Sequence, residues 1–260
     1  MALHSATTPS KLIFAPGSQS SDWDPQRAAQ FQIGTLALTD LSPNPLTQFH
    51  DWFSDPRLKD TVPETVTLST CSLPSGRVSA RVVYLKELDQ RGFVIYSNFG
   101  TSRKAGDLES SPGKYASLAF WWKAVERQVR VEGVAERLSG EESQVYYATR
   151  ARGSKIGAWA SRQSSVLRAG EGNGDDDGRG ELAGQVSEVE SRFEGVRDGE
   201  IPVPPFWGGL RVVPDMVEFW QGRDSRLHDR FQFKRELRME GEGLAARDGH
   251  GEWVVERLSP

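Results

Sequence analysis

Three residues near the C-terminal end, Arg226, His228 and Arg230, have the types and the spacing to bind an anion. In an extended backbone, residues two apart project from the same face of a strand. Cationic or protonatable groups side by side on one face repel each other, and an anion between them relieves the repulsion. The spacing therefore predicts an anionic ligand. A solvated, arginine-rich edge with Glu218 and Asp229 as surface partners explains the same residues equally well.

A second cationic group, Ser102-Arg103-Lys104, stands where a short helix is predicted to begin. The first N–H groups of a helix have no partner within the helix and carry a partial positive charge, which favours a phosphate. Two cationic side chains at this position strengthen the attraction. Phosphate binding is therefore one interpretation of the segment, and an ordinary charged surface is the more common one.

A third candidate is the predicted strand from Arg81 to Lys86, in which two cations bracket an apolar run. Because they are five positions apart, a regular strand points them to opposite faces. They serve one ligand only if the strand is kinked or bulged, or if the ligand lies along the backbone. Two exposed ends of a buried strand are an equally good interpretation.

A fourth candidate lies on a helix that the capping box of Ser139 and Glu142 predicts. Tyr146 and Arg150 are four residues apart and so share one face of that helix, and Ser154 follows in the next turn. Two hydroxyls and a guanidinium in this arrangement can converge on one phosphate. The alternative is a tyrosine packed on an arginine stem.

Composition excludes several classes of protein. The chain has 260 residues, enough for one large domain, and contains no apolar run near the roughly 18 residues of a membrane span. A net charge of -4 argues against a general nucleic-acid binder. The single cysteine, Cys71, and an N-terminus without a secretory pattern predict a reducing, cytoplasmic location. The four histidines show no ligand spacing, so we expect no metal site.

The elements that must position these residues are mainly strands. Asn44 and Pro45 predict a helix that runs to about Pro56. Apolar residues then recur with a period of two, and the short connections favour antiparallel hairpins. The sequence therefore predicts a mainly β, antiparallel barrel or sandwich with flanking helices. The predicted strands are residues 65–70, 78–85, 93–97, 115–122, 128–135, 210–213, 216–221, 230–233 and 253–257.

Two segments are predicted to lie outside the regular body. Residues 1–40 are rich in Ser, Thr, Pro and Gly and are read as a partly flexible arm, which leaves residues 41–260 as a single domain. Residues 169–180 are rich in Gly and Asp and are read as an inserted loop. An amphipathic helix should follow this loop, because apolar residues recur there at spacings of three and four. These residues are Leu182, Val186, Val189, Phe193 and Val196.

Taken together, these segments resemble the pyridoxine/pyridoxamine 5'-phosphate oxidase family of flavoproteins. The resemblance runs in one order from about Asn44 to Pro260. Glu-Phe-Trp-Gln from position 218 and Arg-Leu-His-Asp-Arg from position 226 look like the family's signature. Further matching blocks are residues 81–86, 96–104, 126–129, 146–154, 156–159, 163–164, 206–209 and 257–260.

The resemblance implies an FMN-binding split β-barrel that forms a homodimer with FMN at the subunit interface. It implies that Arg81, Lys86, Arg103 and Lys104 hold the FMN phosphate and its surroundings. The implied remainder of the flavin site is Val82, Val83, Tyr84, Tyr96, Ser97, Gln128, Gln163, Ser164, Trp220 and Arg230.

The resemblance also implies the reaction. The expected enzyme, a pyridoxal 5'-phosphate synthase, oxidises pyridoxine 5'-phosphate and pyridoxamine 5'-phosphate by hydride transfer from C4' to flavin N5. O2 then reoxidises the flavin and gives H2O2, and the amine also releases NH3. Arg226 and His228 would flank the substrate's ring as the catalytic pair. The implied substrate-binding residues are Lys86, Tyr146, Arg150, Ser154, Arg226, Leu227 and His228. A non-catalytic FMN or pyridoxal phosphate binder on the same fold is the alternative.

Overall fold

The structure of the chain is a computed structural model. It describes residues 31–170, 177–240, 243–246 and 253–260, together with the strand pairs His4–Ser5 and Ile13–Phe14. Most of the predicted arm and the centre of the predicted loop at 169–180 therefore lie outside the described residues.

Strands are the main regular secondary structure of the described residues. The strands are β1 (His4–Ser5), β2 (Ile13–Phe14), β3 (Thr65–Ser72), β4 (Arg77–Leu88), β5 (Phe93–Asn98), β6 (Tyr115–Trp122), β7 (Arg127–Arg137), β8 (Trp207–Gln221), β9 (Asp229–Lys234), β10 (Leu237–Glu240), β11 (Gly243–Ala246) and β12 (Val254–Leu258). The α-helices are α1 (Pro45–Phe53), α2 (Arg103–Ser110), α3 (Gly140–Thr149), α4 (Arg152–Ala160) and α5 (Arg179–Arg192).

One antiparallel sheet closes on itself. Its order is β12-β9-β8-β5-β4-β3-β6-β7, and β7 also pairs with β8, so the strands from β8 to β7 form a barrel. The strands β9 and β12 extend the sheet beyond the closure. The expected antiparallel β-barrel with flanking helices is thus confirmed.

Strand β8 differs from its prediction. The sequence predicted two strands, 210–213 and 216–221, and Pro214, which lacks a backbone donor, lies between them. The structure instead has one strand, with a shift in its pairing to β7 between Glu132 and Gly133. A Cβ on Gly133 would lie 2.1 Å from the carbonyl oxygen of Val213, so only glycine lets the two backbones approach this closely.

Helix α1 packs on the barrel through its apolar face. Asn44 accepts a hydrogen bond from the N–H of Leu46, which confirms the predicted N-cap. The helix ends at Phe53, earlier than the predicted Pro56, because Pro56 instead opens a separate 3-10 turn. Phe49 is fully buried, with its ring 4.9 Å from that of Phe93.

Helices α3, α4 and α5 form a second apolar cluster beside the barrel. Its buried members include Tyr147, Ile156, Phe193 and Trp207. The capping box of Ser139 and Glu142 is present, as predicted. Helix α5 ends at Arg192, so Phe193 lies just past its end and is nevertheless buried.

Residues 31–40, the last part of the predicted arm, contact the barrel near the end of β8 and the start of β9. The N–H of Leu36 donates to Asp229 at 3.0 Å, and the Phe31 ring lies 5.5 Å from the ring of Trp220. Among the helices of the described residues, none is long and apolar enough to cross a membrane.

Candidate active site

A cavity of about 480 Å³ opens where β4, β5 and β8 meet α3 and α4. It brings together several of the predicted site residues from four separate segments of the chain. The lining residues are Val83, Tyr84, Lys86, Tyr96, Ser97, Asn98, Tyr146, Arg150, Ser154, Gly157, Ala158, Ser161, Gln163 and Trp207. This cavity is called the phosphate pocket below, for the groups that line it.

Lys86 reaches the pocket because β4 is irregular. The pairing of β4 with β5 shifts between Leu85 and Glu87, which leaves Lys86 as the extra residue. Its ammonium lies 5.0 Å from the ring centre of Tyr84. The strand therefore has the bulge that one interpretation of the sequence required.

Arg81 lies outside the residues that line the pocket. Its guanidinium donates to the hydroxyls of Thr70, at 2.8 Å, and Ser79, at 2.7 Å, and lies 3.9 Å from the carboxylate of Asp107. Arg81 and Lys86 thus contact different surroundings, despite the bulge.

Arg150 is a cation of the pocket that lacks a counter-charge among the described residues. Its Nη1 atom is buried and has no hydrogen-bond partner among them. The guanidinium stacks 4.7 Å from the ring centre of Trp207, and burial lowers its pKa. Helix α3 ends at Thr149, so Arg150 lies just past the helix and not within it. Arg150 still lines the same cavity as Tyr146 and Ser154. A buried donor without an acceptor is the feature expected where an anion binds.

Two tyrosines and a tryptophan form one wall of the pocket. The rings of Tyr96 and Tyr146 have centres 4.2 Å apart, and Tyr96 stacks on Trp207 at 5.5 Å. The hydroxyl of Tyr96 donates to Glu87 at 2.7 Å. Burial raises the pKa of both tyrosines, so both hydroxyls stay protonated and able to donate.

A cluster of cations adjoins the pocket at the start of α2. Ser102 caps this helix, as expected. Lys104 is buried, donates from Nζ to the side-chain oxygen of Gln163 at 2.6 Å, and has its pKa lowered to about 8 by burial, with Arg81 adding to the effect. Arg103 pairs with Asp107 at 2.8 Å.

Gln163 and Ser164 connect this cluster to the pocket. The Gln163 side chain also accepts from Ser97 at 3.3 Å, and the Ser164 hydroxyl accepts from the N–H of Arg103 at 3.2 Å. Ser164 has a φ of 71°, a conformation that is uncommon outside glycine and that occurs often at ligand sites.

The C-terminal candidates form a separate group, which we call the signature end: Gln128, Trp220, Arg226, Leu227, His228 and Arg230. Gln128 and Trp220 are paired across β7 and β8, and Arg230 pairs with Trp220 across β8 and β9. The His228 ring lies 4.5 Å from that of Trp220, and Leu227 is exposed.

The predicted extended backbone from Arg226 to Arg230 is wrong. Residues Asp224–Arg226 form a 3-10 turn, in which Ser225 and Arg226 have φ of 55° and 63°, and β9 begins only at Asp229. The three groups therefore do not project from one regular strand face. The turn uses no glycine, so its sequence gives little warning of it.

The interpretation of Glu218 and Asp229 as surface partners is also wrong. Glu218 is 2 % exposed and accepts from Arg230 at 2.8 Å and from Arg130 at 3.0 Å. Asp229 is buried and accepts from Arg223 at 2.9 Å. Both carboxylates are buried and form ion pairs with arginines.

The pocket and the signature end lie toward opposite ends of β8. Tyr96 pairs with Gly209, whereas Gln128 pairs with Trp220. At about 3.3 Å per residue, Gly209 and Trp220 are separated by up to about 36 Å of strand. The two groups therefore lie in different regions of the barrel within one copy of the chain.

Sequence reasoning assigned no role to several residues that line the pocket. Gly157, Ala158 and Trp207 stood in blocks that carry the family resemblance, so that signal was available. Asn98 also stood in such a block, residues 96–104. Ser161 gave no separate signal, because it lines the cavity through the packing of the β5 end against the segment after α4, where the Asn98 amide donates to the Ser161 carbonyl at 2.9 Å.

Comparison with known proteins defines first the fold and then the family. The solved structure of PhzG from Burkholderia lata, in complex with tetrahydrophenazine-1-carboxylic acid, superposes with a TM-score of 0.69 at 26 % identity, over 88 % of this chain and 99 % of that one. The barrel is therefore shared with a structure of nearly the same extent.

Two family models match most of the sequence. Residues 56–191 match the model described as pyridoxamine 5'-phosphate oxidase, and residues 207–260 match the pyridoxine 5'-phosphate oxidase C-terminal dimerisation region. A probable pyridoxamine 5'-phosphate oxidase of Schizosaccharomyces pombe is 48 % identical, over 90 % of this chain and 94 % of that protein. The pyridoxamine 5'-phosphate oxidase of Saccharomyces cerevisiae is 44 % identical over the full length of both. The chain belongs to the pyridoxamine 5'-phosphate oxidase family.

Proposed function

We propose that the chain is an FMN-dependent oxidase that converts pyridoxine 5'-phosphate and pyridoxamine 5'-phosphate to pyridoxal 5'-phosphate. The observation that carries this proposal is the phosphate pocket, in which the buried Nη1 of Arg150 has no acceptor from the part of the chain that the structure describes. Membership of the family supports the same reaction.

The pocket's own groups suit the phosphate of the substrate. Lys86 and Arg150 supply positive charge, and the hydroxyls of Tyr146 and Ser154 supply further donors. The stacking of Arg150 on Trp207 fixes the guanidinium before the ligand arrives. Preorganised donors lose little conformational freedom on binding, so they orient the substrate efficiently.

The adjoining cations suit the phosphate of FMN. Arg81, Arg103 and Lys104 lie around Asp107 or Gln163, so the site is held together even without a ligand. The remaining groups proposed to contact FMN from this side are Val82, Val83, Tyr84, Lys86, Tyr96, Ser97, Gln163 and Ser164.

We further propose that a homodimer completes the site. Because the signature end lies far along β8 from the pocket, Gln128, Trp220 and Arg230 would contact FMN bound mainly by the other copy. Arg226, Leu227 and His228 would reach the substrate there in the same way. The family model for residues 207–260 is described as a dimerisation region and covers most of these residues. The exposed side chains of Val82 and Tyr84 on β4 are suited to burial between copies.

FMN, when bound, supplies the redox chemistry by accepting a hydride from C4' of the substrate and passing the electrons to O2. The chain's part is to hold the substrate ring against FMN and to exclude water from the contact. We also propose a cytoplasmic location, which the single cysteine, Cys71, supports.

The test begins with the colour of the purified protein. FMN-loaded protein should absorb near about 450 nm, and anaerobic addition of pyridoxamine 5'-phosphate should bleach that band. Admitting air should restore the band and release H2O2. A flavin that stays oxidised in the presence of either substrate would favour a non-catalytic FMN binder. Protein that does not retain FMN would contradict the oxidase and the FMN binder, and would leave the pyridoxal phosphate binder.

A further inference from the structure

The imidazole of His228 is held by a main-chain group. Its Nδ1 atom lies 3.1 Å from the backbone nitrogen of Arg223, whose N–H donates to it. A backbone N–H can only donate, so Nδ1 must be the unprotonated, accepting nitrogen. In a neutral imidazole the ring proton then belongs to Nε2.

The Arg223 amide is itself fixed in place. The Arg223 side chain pairs with Asp229 at 2.9 Å, and Asp229 also accepts from Arg257 at 2.9 Å and from the N–H of Leu36 at 3.0 Å. One buried carboxylate thus ties together the turn, the last strand and the end of the arm. The donor that faces His228 therefore has little freedom to turn away.

The surroundings of His228 disfavour a second ring proton. Burial, Arg226 and Arg230 all lower the pKa of the imidazole. The rings of Trp220 and Phe31 pack against it, with centres 4.5 Å and 5.7 Å away. The nearby carboxylates are engaged elsewhere, since Asp229 is paired with Arg223 and Glu218 with Arg230. The hydrogen bond recorded for the imidazole within the described residues is the one from the Arg223 amide.

We propose that His228 acts as a neutral imidazole of fixed tautomer, which presents Nε2–H as a hydrogen-bond donor to an oxygen of the substrate, with Arg223 as the positioning residue. This inference rests on the proposed function, in which the signature end reaches the substrate. It assigns His228 no role as a base, because Nδ1 already accepts from Arg223 and Nε2 carries the proton. The proposed contribution of His228 is therefore one hydrogen-bond donor, Nε2–H, held in a fixed orientation.

The tautomer can be read directly by 15N NMR of protein labelled in histidine. The chain has four histidines, and the spectrum of His228→Asn identifies the signal that belongs to position 228. We expect an unprotonated Nδ1 and a protonated Nε2 at about pH 8. A proton on Nδ1, or a doubly protonated ring at about pH 7, would overturn the inference.

A matched pair of variants tests what the donor does. In His228→Gln the side-chain amide reaches the position of Nε2, whereas in His228→Asn it reaches only that of Nδ1. We expect His228→Asn to lose about 10- to 100-fold in kcat/KM, as for a lost hydrogen bond to a charged group, and His228→Gln to remain at least about tenfold better. His50→Gln, at an exposed position on α1, is the control and should match the parent protein.

The possible failures are distinguishable. Equal losses in the Gln and Asn variants would refute the donor role even if the tautomer is as expected. The wrong tautomer in a protein with oxidase activity overturns this inference alone. A protein without oxidase activity in the absorbance test overturns the proposed function, and the NMR readout does not depend on turnover.

Discussion

The phosphate pocket and the signature end both use arginine, but the charge of the guanidinium is compensated differently in the two regions. In the pocket, Arg150 has no carboxylate partner among the described residues, and its buried Nη1 has no acceptor among them. At the signature end, Arg230 is tied to the buried Glu218, and the neighbouring Arg223 is tied to the buried Asp229, whereas Arg226 is exposed. The partly buried guanidinium is therefore uncompensated in the pocket and neutralised at the signature end.

Because of this difference, we expect the pocket to bind an anion and the signature end to hold a fixed conformation. An unpaired, partly buried guanidinium destabilises the unliganded protein, and an incoming phosphate relieves that cost. A guanidinium held by a buried carboxylate gains nothing from a phosphate but fixes the backbone around it. The paired arginines of the signature end therefore hold Trp220 and His228 in place, while the pocket supplies the affinity.

The largest effect should come from removing a buried carboxylate at the signature end. Glu218→Gln leaves Arg130 and Arg230 without their counter-charge, and we expect a loss of about 2–3 kcal/mol in the free energy of unfolding. This value is at the low end for a buried pair because both arginines are partly exposed and can reach solvent. Urea unfolding of the FMN-free protein measures it.

The control for this prediction is Glu256→Gln. Glu256 pairs with Lys234 at 3.2 Å, and both side chains are more than half exposed, so the loss should stay below about 1 kcal/mol. If the two variants unfold at the same urea concentration, then Glu218 is not the anchor that distinguishes the signature end.

A smaller effect, and on binding rather than stability, is expected in the pocket. Arg150→Ala removes a charged hydrogen-bond donor to the substrate's phosphate, which should raise KM by about 10- to 100-fold with a smaller change in kcat. Steady-state kinetics with pyridoxine 5'-phosphate measure the change. Arg192→Ala, whose guanidinium stacks on Trp159 outside the pocket lining, is the matched control and should leave KM unchanged.

Unphosphorylated pyridoxine sharpens the same experiment. If Arg150 binds the phosphate, the parent and the variant should oxidise pyridoxine with equally low kcat/KM. A variant that loses as much toward pyridoxine as toward the phosphate ester would show that Arg150 shapes the pocket without contacting the phosphate.

Local signals in the sequence predicted much of the fold. The caps at Asn44 and Ser139 depend on residues two or three positions away, so they could be identified without a structure. The pairing that lets β8 pass through Pro214 could not, because it depends on Gly133, far away in sequence. The turn at Ser225 was missed for a similar reason, since its left-handed backbone is stabilised by what surrounds it.

The same distinction between local and distant determinants applies to the candidate site. Residue types and order identified Lys86, Arg150 and His228 as candidates and carried the family resemblance. Their grouping into two distant regions follows from the barrel's topology, which sequence spacing does not reveal. The burial of Glu218 and Asp229 was likewise hidden, because a carboxylate between arginines looks the same in sequence whether it is exposed or buried.

The smallest predicted effect concerns pH and the cations beside the pocket. Lys104 is buried near Arg81, and its pKa is lowered from 10.5 to about 8. Below about pH 8 the ammonium is charged and attracts the phosphate of FMN, and above it the charge is lost. FMN affinity should therefore fall above about pH 8, by at most about tenfold per pH unit. Because the unfolded chain binds this proton more tightly than the folded chain, the stability of the FMN-free protein should rise as the pH increases from about 8 to about 10.5, where the cost of burying the charged ammonium is lost.

Fluorescence titration of FMN at several pH values measures this change, and two variants test its source. Lys104→Arg keeps its charge throughout and should remove the decline, whereas Lys104→Gln should bind weakly at every pH. Lys59→Gln, at an exposed position, should retain the parent's pH dependence. A decline that survives in Lys104→Arg would assign the titration to another group, and the contrast between the pocket's cations and the paired arginines of the signature end would then rest on Arg150 alone.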